Sequence, residues 1–122
     1  LSGKFTRTDA AAGSRIKRED VSAEQLAIAA EVDKVADELG VTSTQVSLAW
    51  LRARRGWVHP IIGARTYDQL TDNLAAADLR LPEEVVDRLD TASAFPLGFP
   101  QDFIGQAREF VYGPSISRFD RR

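Results

Sequence analysis

The sequence predicts an α/β fold, mostly helical as it stands, with one clear strand near residues 57–62. Three observations carry that reading. Four stretches place apolar residues at helical spacing between start and stop signals, and one short run rich in Val and Ile ends at Gly63. The order helix, helix, strand, helix matches the end of an alternating strand–helix array, whose other strands would lie before Leu1. A strand needs partners for its backbone groups, and no second strand is evident in the sequence.

Residues 1–20 are polar, with Gly3, Gly13 and mixed charges, and read as an irregular surface loop with at most a short helical turn. A helix is expected over 22–39: Ser22 caps it, Gln25 closes a capping box, and Gly40 supplies the stop. Its apolar face is Ile28, Val32, Val35 and Leu39. Thr42 and Gln45 form a second capping box that opens a helix over 43–55, with Val46, Ala49, Trp50 and Ala53 as its stripe. Arg52, Arg54 and Arg55 gather in its last turn, where the helix dipole favours cations. Trp57 to Ile62 is the strand, and Pro60, which lacks a donor, belongs at its edge or near its start. Thr66 and Gln69 make a third capping box, starting a helix to about Ala76. Pro82 stands at the first position of a helix to about Ala92, with Val85, Val86 and Leu89 as its core face. From Phe95 onward, prolines, glycines and scattered aromatics read as a long tail draped over something else.

Composition narrows the chemistry. The 122 residues are 43% apolar and 28% charged, an ordinary globular balance, with a net charge of −2 that gives no general pull towards nucleic acid or anionic membrane. No run approaches the ~20 apolar residues of a membrane span, and residues 1–20 lack the apolar centre of a signal peptide. The absence of cysteine removes disulfides, thiolate nucleophiles and zinc–cysteine sites, and a single histidine makes no histidine-based metal cluster. These features fit a cytoplasmic setting. The chain has no methionine and begins with Leu1, so it is expected to be a piece of something longer.

Val35 to Ser47 also fits a DNA-reading helix-turn-helix built on helices 22–39 and 43–55. Ala36, Gly40 and Val46 occupy its small, turn and buried positions, and Ser43, Thr44, Gln45 and Ser47 would face the major groove. Any tight pair of crossed helices needs the same spacing. The second helix bears no Lys or Arg near its start and the first contributes several carboxylates, a poor setting for phosphates. Helix packing is the reading adopted. A stand-alone, non-catalytic helical interaction module is the other alternative.

The most specific segment is Ile61-Ile62-Gly63-Ala64-Arg65-Thr66-Tyr67-Asp68-Gln69-Leu70-Thr71-Asp72-Asn73. It resembles the last strand and following helix of the aldo-keto reductases, (β/α)8 TIM barrels that use NADPH. Leu1-Ser2-Gly3-Lys4 is similar to the loop that folds over the cofactor's pyrophosphate. Ala36 to Arg54 resembles the penultimate helical layer, and Leu81 to Ala94 the extra helix after the barrel. Phe99-Pro100 begins what resembles the C-terminal loop, and the resemblance weakens after about residue 104. It implies a C-terminal portion of a TIM barrel. Residues 1–20 would be the cofactor-covering loop, 21–94 the last helices and strand plus an extra helix, and 95–122 the C-terminal tail, in one incomplete domain.

The resemblance also implies an NADPH site formed by Leu1, Gly3, Lys4, Gly63, Ala64, Arg65, Thr66, Gln69 and Asn73. The residue types fit on physical grounds. Gly63 and Ala64 admit a ligand close to the backbone, and the amides opening the helix near 65–68 favour an anion. Arg65 offers a planar guanidinium for phosphate, and Gln69 and Asn73, four apart on one helical face, suit an adenine edge. The bland alternative is two helix caps, a solvated arginine and a polar face.

The implied reaction is hydride transfer between NADPH and an aldehyde or ketone. Its acid, a tyrosine supported by Lys, Asp and His in the first half of the barrel, has no match here, so no catalytic residue is assigned in this chain. The 122 residues alone are expected to be inactive without the rest of the barrel, supplied upstream or by a separate chain. No metal, nucleic acid or membrane partner is expected. His59 reads as a packed or edge imidazole, and Glu83, Glu84 and Asp87 as first-turn acids complementing a helix dipole. Phe95, Phe99, Phe103, Phe110 and Tyr112 either line a substrate mouth or cover the barrel's outside.

Overall fold

Helix α1 (Ala23–Leu39) starts where a local circuit of hydrogen bonds makes it start. Ser22 Oγ accepts the Gln25 amide at 3.1 Å while Gln25 Oε1 accepts the Ser22 amide at 2.9 Å. Two otherwise orphaned donors are satisfied reciprocally. The helix ends at Gly40, whose φ of 65° is the left-handed conformation that glycine adopts without strain. The Val41 amide then reaches back to the Ala36 carbonyl at 3.0 Å, the long bond of a Schellman turn. Thr42 and Gln45 repeat the capping box to open α2 (Ser43–Arg52). Next come α3 (Tyr67–Ala75), α4 (Glu83–Ala92) and α5 (Gln101–Tyr112), and a 3-10 turn at Arg18–Asp20 precedes α1. This computed structural model describes residues 3, 6, 17–54, 56–113 and 115.

α1 packs against α2 and α4, and α2 packs in turn against α3. The apolar centre lies where the first three meet: Val32, Val35 and Ala36 from α1, Val46 and Trp50 from α2, and Leu89 from α4. Val41, Leu81, Val85 and Val86 pack around it, half-buried. Leu39, expected on the core face of α1, stays partly open to solvent and outside the core. Ala36 takes its place because the Schellman turn brings Val41 back over that end of the helix.

Two polar clusters lock the same helices at their rims. Arg88 on α4 places Nε 2.5 Å from Glu31 and grips Glu38 with both terminal nitrogens at 2.9 Å, bolting α4 to α1. Lys34 adds a second cation to Glu31 at 3.1 Å. Hydrogen bonds from Lys34 and Arg88 outweigh burial and hold the Glu31 carboxyl below its ordinary value of 4.5. On the other side, Asp90 accepts Trp50 Nε1 at 2.6 Å and Arg54 Nη1 at 2.7 Å, while the Arg54 guanidinium lies 4.8 Å from the centre of the Trp50 ring. Burial opposes ionisation of Asp90, but the bonds from Arg54 and Trp50 prevail and depress its carboxyl below 3.8.

Several expectations are corrected. No strand occurs among the described residues: 57–64 carry no regular structure. The physical reason is that extended backbone is stabilised by a neighbouring strand, and the described residues offer none. The side chains nevertheless alternate as in a strand. Trp57 and Ile61 are 85% and 101% exposed, whereas Val58 and Ile62 are 38% and 37%. α2 closes at Arg52 rather than 55, and Ala53 is exposed. Of the three expected arginines, Arg52 stands in the last turn, Arg54, beyond the helix, turns to Asp90, and Arg55 lies outside the described residues. Pro82 caps α4 instead of occupying its first turn. The tail beyond residue 95 contains a helix, α5, which the reading of a tail without structure missed. Pro100 directly precedes α5, where a missing amide hydrogen is harmless, and Asp102 accepts the Gly98 amide at 3.1 Å. No helix among the described residues is long and apolar enough to cross a membrane.

Leu89 is fully buried at the junction of three helices, so Leu89→Ala is expected to cost about 2–5 kcal/mol, read from urea unfolding. Acid should act through the two depressed carboxyls. Their stabilisation is complete above the ordinary values of 3.8 and 4.5 and is lost as pH falls through the lower folded values. Calorimetry is expected to show a melting temperature that drops below about pH 4.5, and Asp90→Asn should lower it at neutral pH while making the acid decline shallower.

Candidate functional site

The residues that the sequence singled out between Gly63 and Asn73 fall at the start of α3 and the loop leading into it. Thr66 has extended backbone, and its Oγ1 accepts the Gln69 amide at 3.2 Å. The expected capping box is only half formed. Gln69 Oε1 bypasses the Thr66 amide and accepts the Arg65 amide instead, at 2.9 Å. One turn further on, Asn73 Nδ2 donates to the Gly63 carbonyl at 3.3 Å. The structure therefore brings Gly63, Arg65, Thr66, Gln69 and Asn73 into one hydrogen-bonded unit with Ala64 between them.

Gly63 to Gln69 are all exposed. The Arg65 guanidinium has no ion-pair partner among the described residues, and the amides of Thr66, Tyr67 and Asp68 donate no hydrogen bond there. The Arg65 amide, expected to be open for an anion, is taken by Gln69. Gly63 does not adopt a positive φ, and a Cβ built on it meets nothing within 4 Å. The chain's own packing thus gives no reason for glycine at this position. One group works against an anion: Asp68 sits in the first turn of α3, adding a carboxylate near the same amides. Gly3 is buried with φ 73° and accepts the Thr6 hydroxyl at 3.3 Å. Leu1 and Lys4 lie outside the described residues.

α3 contains no buried residue, and it is held to α2 by polar contacts that the sequence reading missed. Asp72 accepts the Thr42 hydroxyl at 2.9 Å and Gln45 Nε2 at 2.8 Å. Arg52 donates to the Ala76 and Ala77 carbonyls at 2.9 and 2.6 Å, closing the far end of α3 with a cation where the dipole favours one. Asp72 lies on α3 between Thr71 and Asn73, but nothing local marks its partner 30 residues away. Arg52 was assigned to its own helix's dipole and serves the neighbour's.

The DNA-reading alternative loses its contact surface. Ser43 is buried and donates to Asp33, Gln45 is tied to Thr42 and Asp72, and Ser47 donates to the Ser43 carbonyl at 2.8 Å. Three of the four side chains assigned to the major groove thus bond within the protein, beside the carboxylate of Asp72. His59 and Tyr67 are exposed, and no described group of three acidic, histidine or cysteine residues is placed to hold a metal.

Removing the Asp72 carboxylate should loosen the site helix without unfolding the core. Asp72→Ala is expected to speed amide exchange across 69–75 by about three- to tenfold while α1 and α4 stay protected, as measured by NMR.

Comparison with known proteins matches residues 1–94 to the aldo/keto reductase family. The aldo-keto reductase ausK of Aspergillus calidoustus is 38% identical, over 85% of this chain and 28% of its own length. The ausK protein of Emericella nidulans is 37% identical over the same shares. The norsolorinic acid reductase of Aspergillus flavus is 30% identical over 74% of this chain and 23% of its own. The chain thus spans about a quarter of the length of these relatives.

Proposed function

From the premise that this chain belongs to the aldo/keto reductase family, we propose that it supplies the 2′-phosphate and adenine end of an NADPH site in a carbonyl-reducing oxidoreductase. The whole protein is a TIM barrel in this reading, and the chain its last portion. The observation that carries the reading is the unit at the start of α3. There an exposed Arg65, whose guanidinium has no ion-pair partner among the described residues, directly precedes the open amides of Thr66, Tyr67 and Asp68 and follows a glycine that the described packing does not require.

The residues present fit one end of the cofactor. Arg65 is suited to grip the 2′-phosphate through paired N–H groups, with the amides and the dipole of α3 behind it. Gly63 lets the ligand lie against backbone. Gln69 and Asn73 retain the amide groups that their backbone bonds leave over, Nε2 and Oδ1, for the adenine edge. Gly3 belongs to a pyrophosphate-covering loop together with Leu1 and Lys4. NADPH, when bound, supplies the hydride that reduces an aldehyde or ketone. This chain's part is to anchor the far, anionic end and so set where the reactive end falls. Protonation of the carbonyl oxygen belongs to residues elsewhere in the protein, so the 122 residues by themselves are inactive in this reading.

The run at 57–62 supports the same proposal. It is apolar on both sides of its alternation, the pattern of a strand covered on both faces in a parallel sheet. The rest of the barrel, upstream or in a separate chain, is the partner that completes it.

Arg65→Ala is expected to weaken NADPH binding by roughly ten- to a hundredfold while leaving NADH nearly unchanged, measured by titration calorimetry. Equal loss for both cofactors would remove Arg65 from the phosphate role.

A further inference from the structure

We propose that Gln69 and Asn73 are positioning residues that pre-form the 63–65 loop, gripping its backbone with carboxamides of opposite polarity, so that Arg65 is presented before any ligand arrives. This rests on the phosphate-site reading above and adds a role to residues otherwise assigned only to the adenine.

The geometry is specific. A carboxamide carries one acceptor and one donor group. Gln69 uses its acceptor on the Arg65 N–H at 2.9 Å, and Asn73 uses its donor on the Gly63 carbonyl at 3.3 Å. The two grips bracket Ala64 and fix the backbone on both sides of it. They act on a loop that is exposed throughout and makes no regular backbone pairing among the described residues. Both come from one face of α3, so the loop is registered to that helix and through it to Asp72 and α2.

The displacement of the capping box has a chemical consequence. In α1 and α2 the glutamine at the third helical position closes on the cap residue's own amide. Gln69 reaches one residue further back. The Thr66 N–H therefore stays open while the Arg65 backbone is clamped, the combination an anion needs: a donor exposed and the backbone that carries the neighbouring guanidinium held in place. Ordering a loop only at binding costs affinity, and ordering it beforehand removes that cost.

The probe is adenosine 2′,5′-bisphosphate, titrated calorimetrically against the chain and four variants: Arg65→Ala, Gln69→Ala, Asn73→Asp, and Gln69→Ala with Arg65→Ala. Gln69→Ala and Asn73→Asp are expected to weaken binding by about two- to tenfold. Adding Gln69→Ala to Arg65→Ala should cost less than Gln69→Ala costs alone, because the positioning part of its loss acts through Arg65 and only the adenine contact remains to be lost. Gln69→Glu provides a second readout in the unliganded chain. It keeps the acceptor, so Arg65 N–H exchange should stay slow by NMR, whereas Gln69→Ala should speed it. Fully additive losses for Gln69 and Arg65, or an Arg65 amide that exchanges equally fast in all forms, would overturn the positioning role and leave the phosphate site intact. No loss for Arg65→Ala would remove the phosphate site, and the positioning role with it.

Discussion

The packing of α1, α2 and α4 depends on one small apolar junction, where Leu89 of α4 meets Val32, Val35 and Ala36 of α1 and Val46 and Trp50 of α2. Among the described residues this core draws on those three helices, and α3 is tied to α2 by polar contacts. The Arg88 fork and the Asp90 cluster keep α4 seated on α1 and α2. Both clusters are partly open to solvent, where ion pairs contribute little to net stability. Their value is directional: they set rotation and register, while the apolar contact supplies the stabilisation.

The same division of labour governs the candidate site. α3 buries none of its own residues, and only its cap residue Ala76 is buried beside it. The start of α2 positions the helix through polar contacts. Thr42 there accepts from the Gln45 amide and donates to Asp72, and Gln45 gives its oxygen to the Thr42 amide and its nitrogen to Asp72. A capping box that begins one helix is thereby reused as the mount for the next. With Arg52 gripping the carbonyls at its far end, α3 is held at two points about one helical turn apart, at Asp72 and at Ala76 and Ala77.

What was legible in the sequence was local. Ser22 with Gln25 and Thr42 with Gln45 announce their helices because the bonds that start a helix lie within four residues, and Gly40 announces a stop for the same reason. The site segment 63–73 was legible as a segment, since its members are neighbours in the chain. What stayed hidden depended on distant partners. α2 ends early and Arg54 turns to an aspartate 36 residues on. The Asp72 mount spans 30 residues. The third capping box looked like the other two by composition, and only the three-dimensional course of the loop sends Gln69 to Arg65. α5 is a different case: Phe103, Ala107, Phe110 and Val111 do recur at helical spacing, but the prolines and glycines around them and Gly105 within outweighed that signal.

The segment before the site joins these threads. Residues 57–62 keep the alternation of a strand without its ladder, with Val58 and Ile62 more sheltered and Trp57 and Ile61 outward. Side-chain alternation follows from extended backbone alone, whereas the ladder requires a second strand. Gly63 follows immediately, so the run leads straight into the loop that Gln69 and Asn73 grip. That loop is fixed from its own helix by carboxamide bonds that are already formed. The grips of Gln69 and Asn73 thus set the local shape of the 63–65 loop, while the run at 57–62 just before it keeps only the side-chain alternation of a strand.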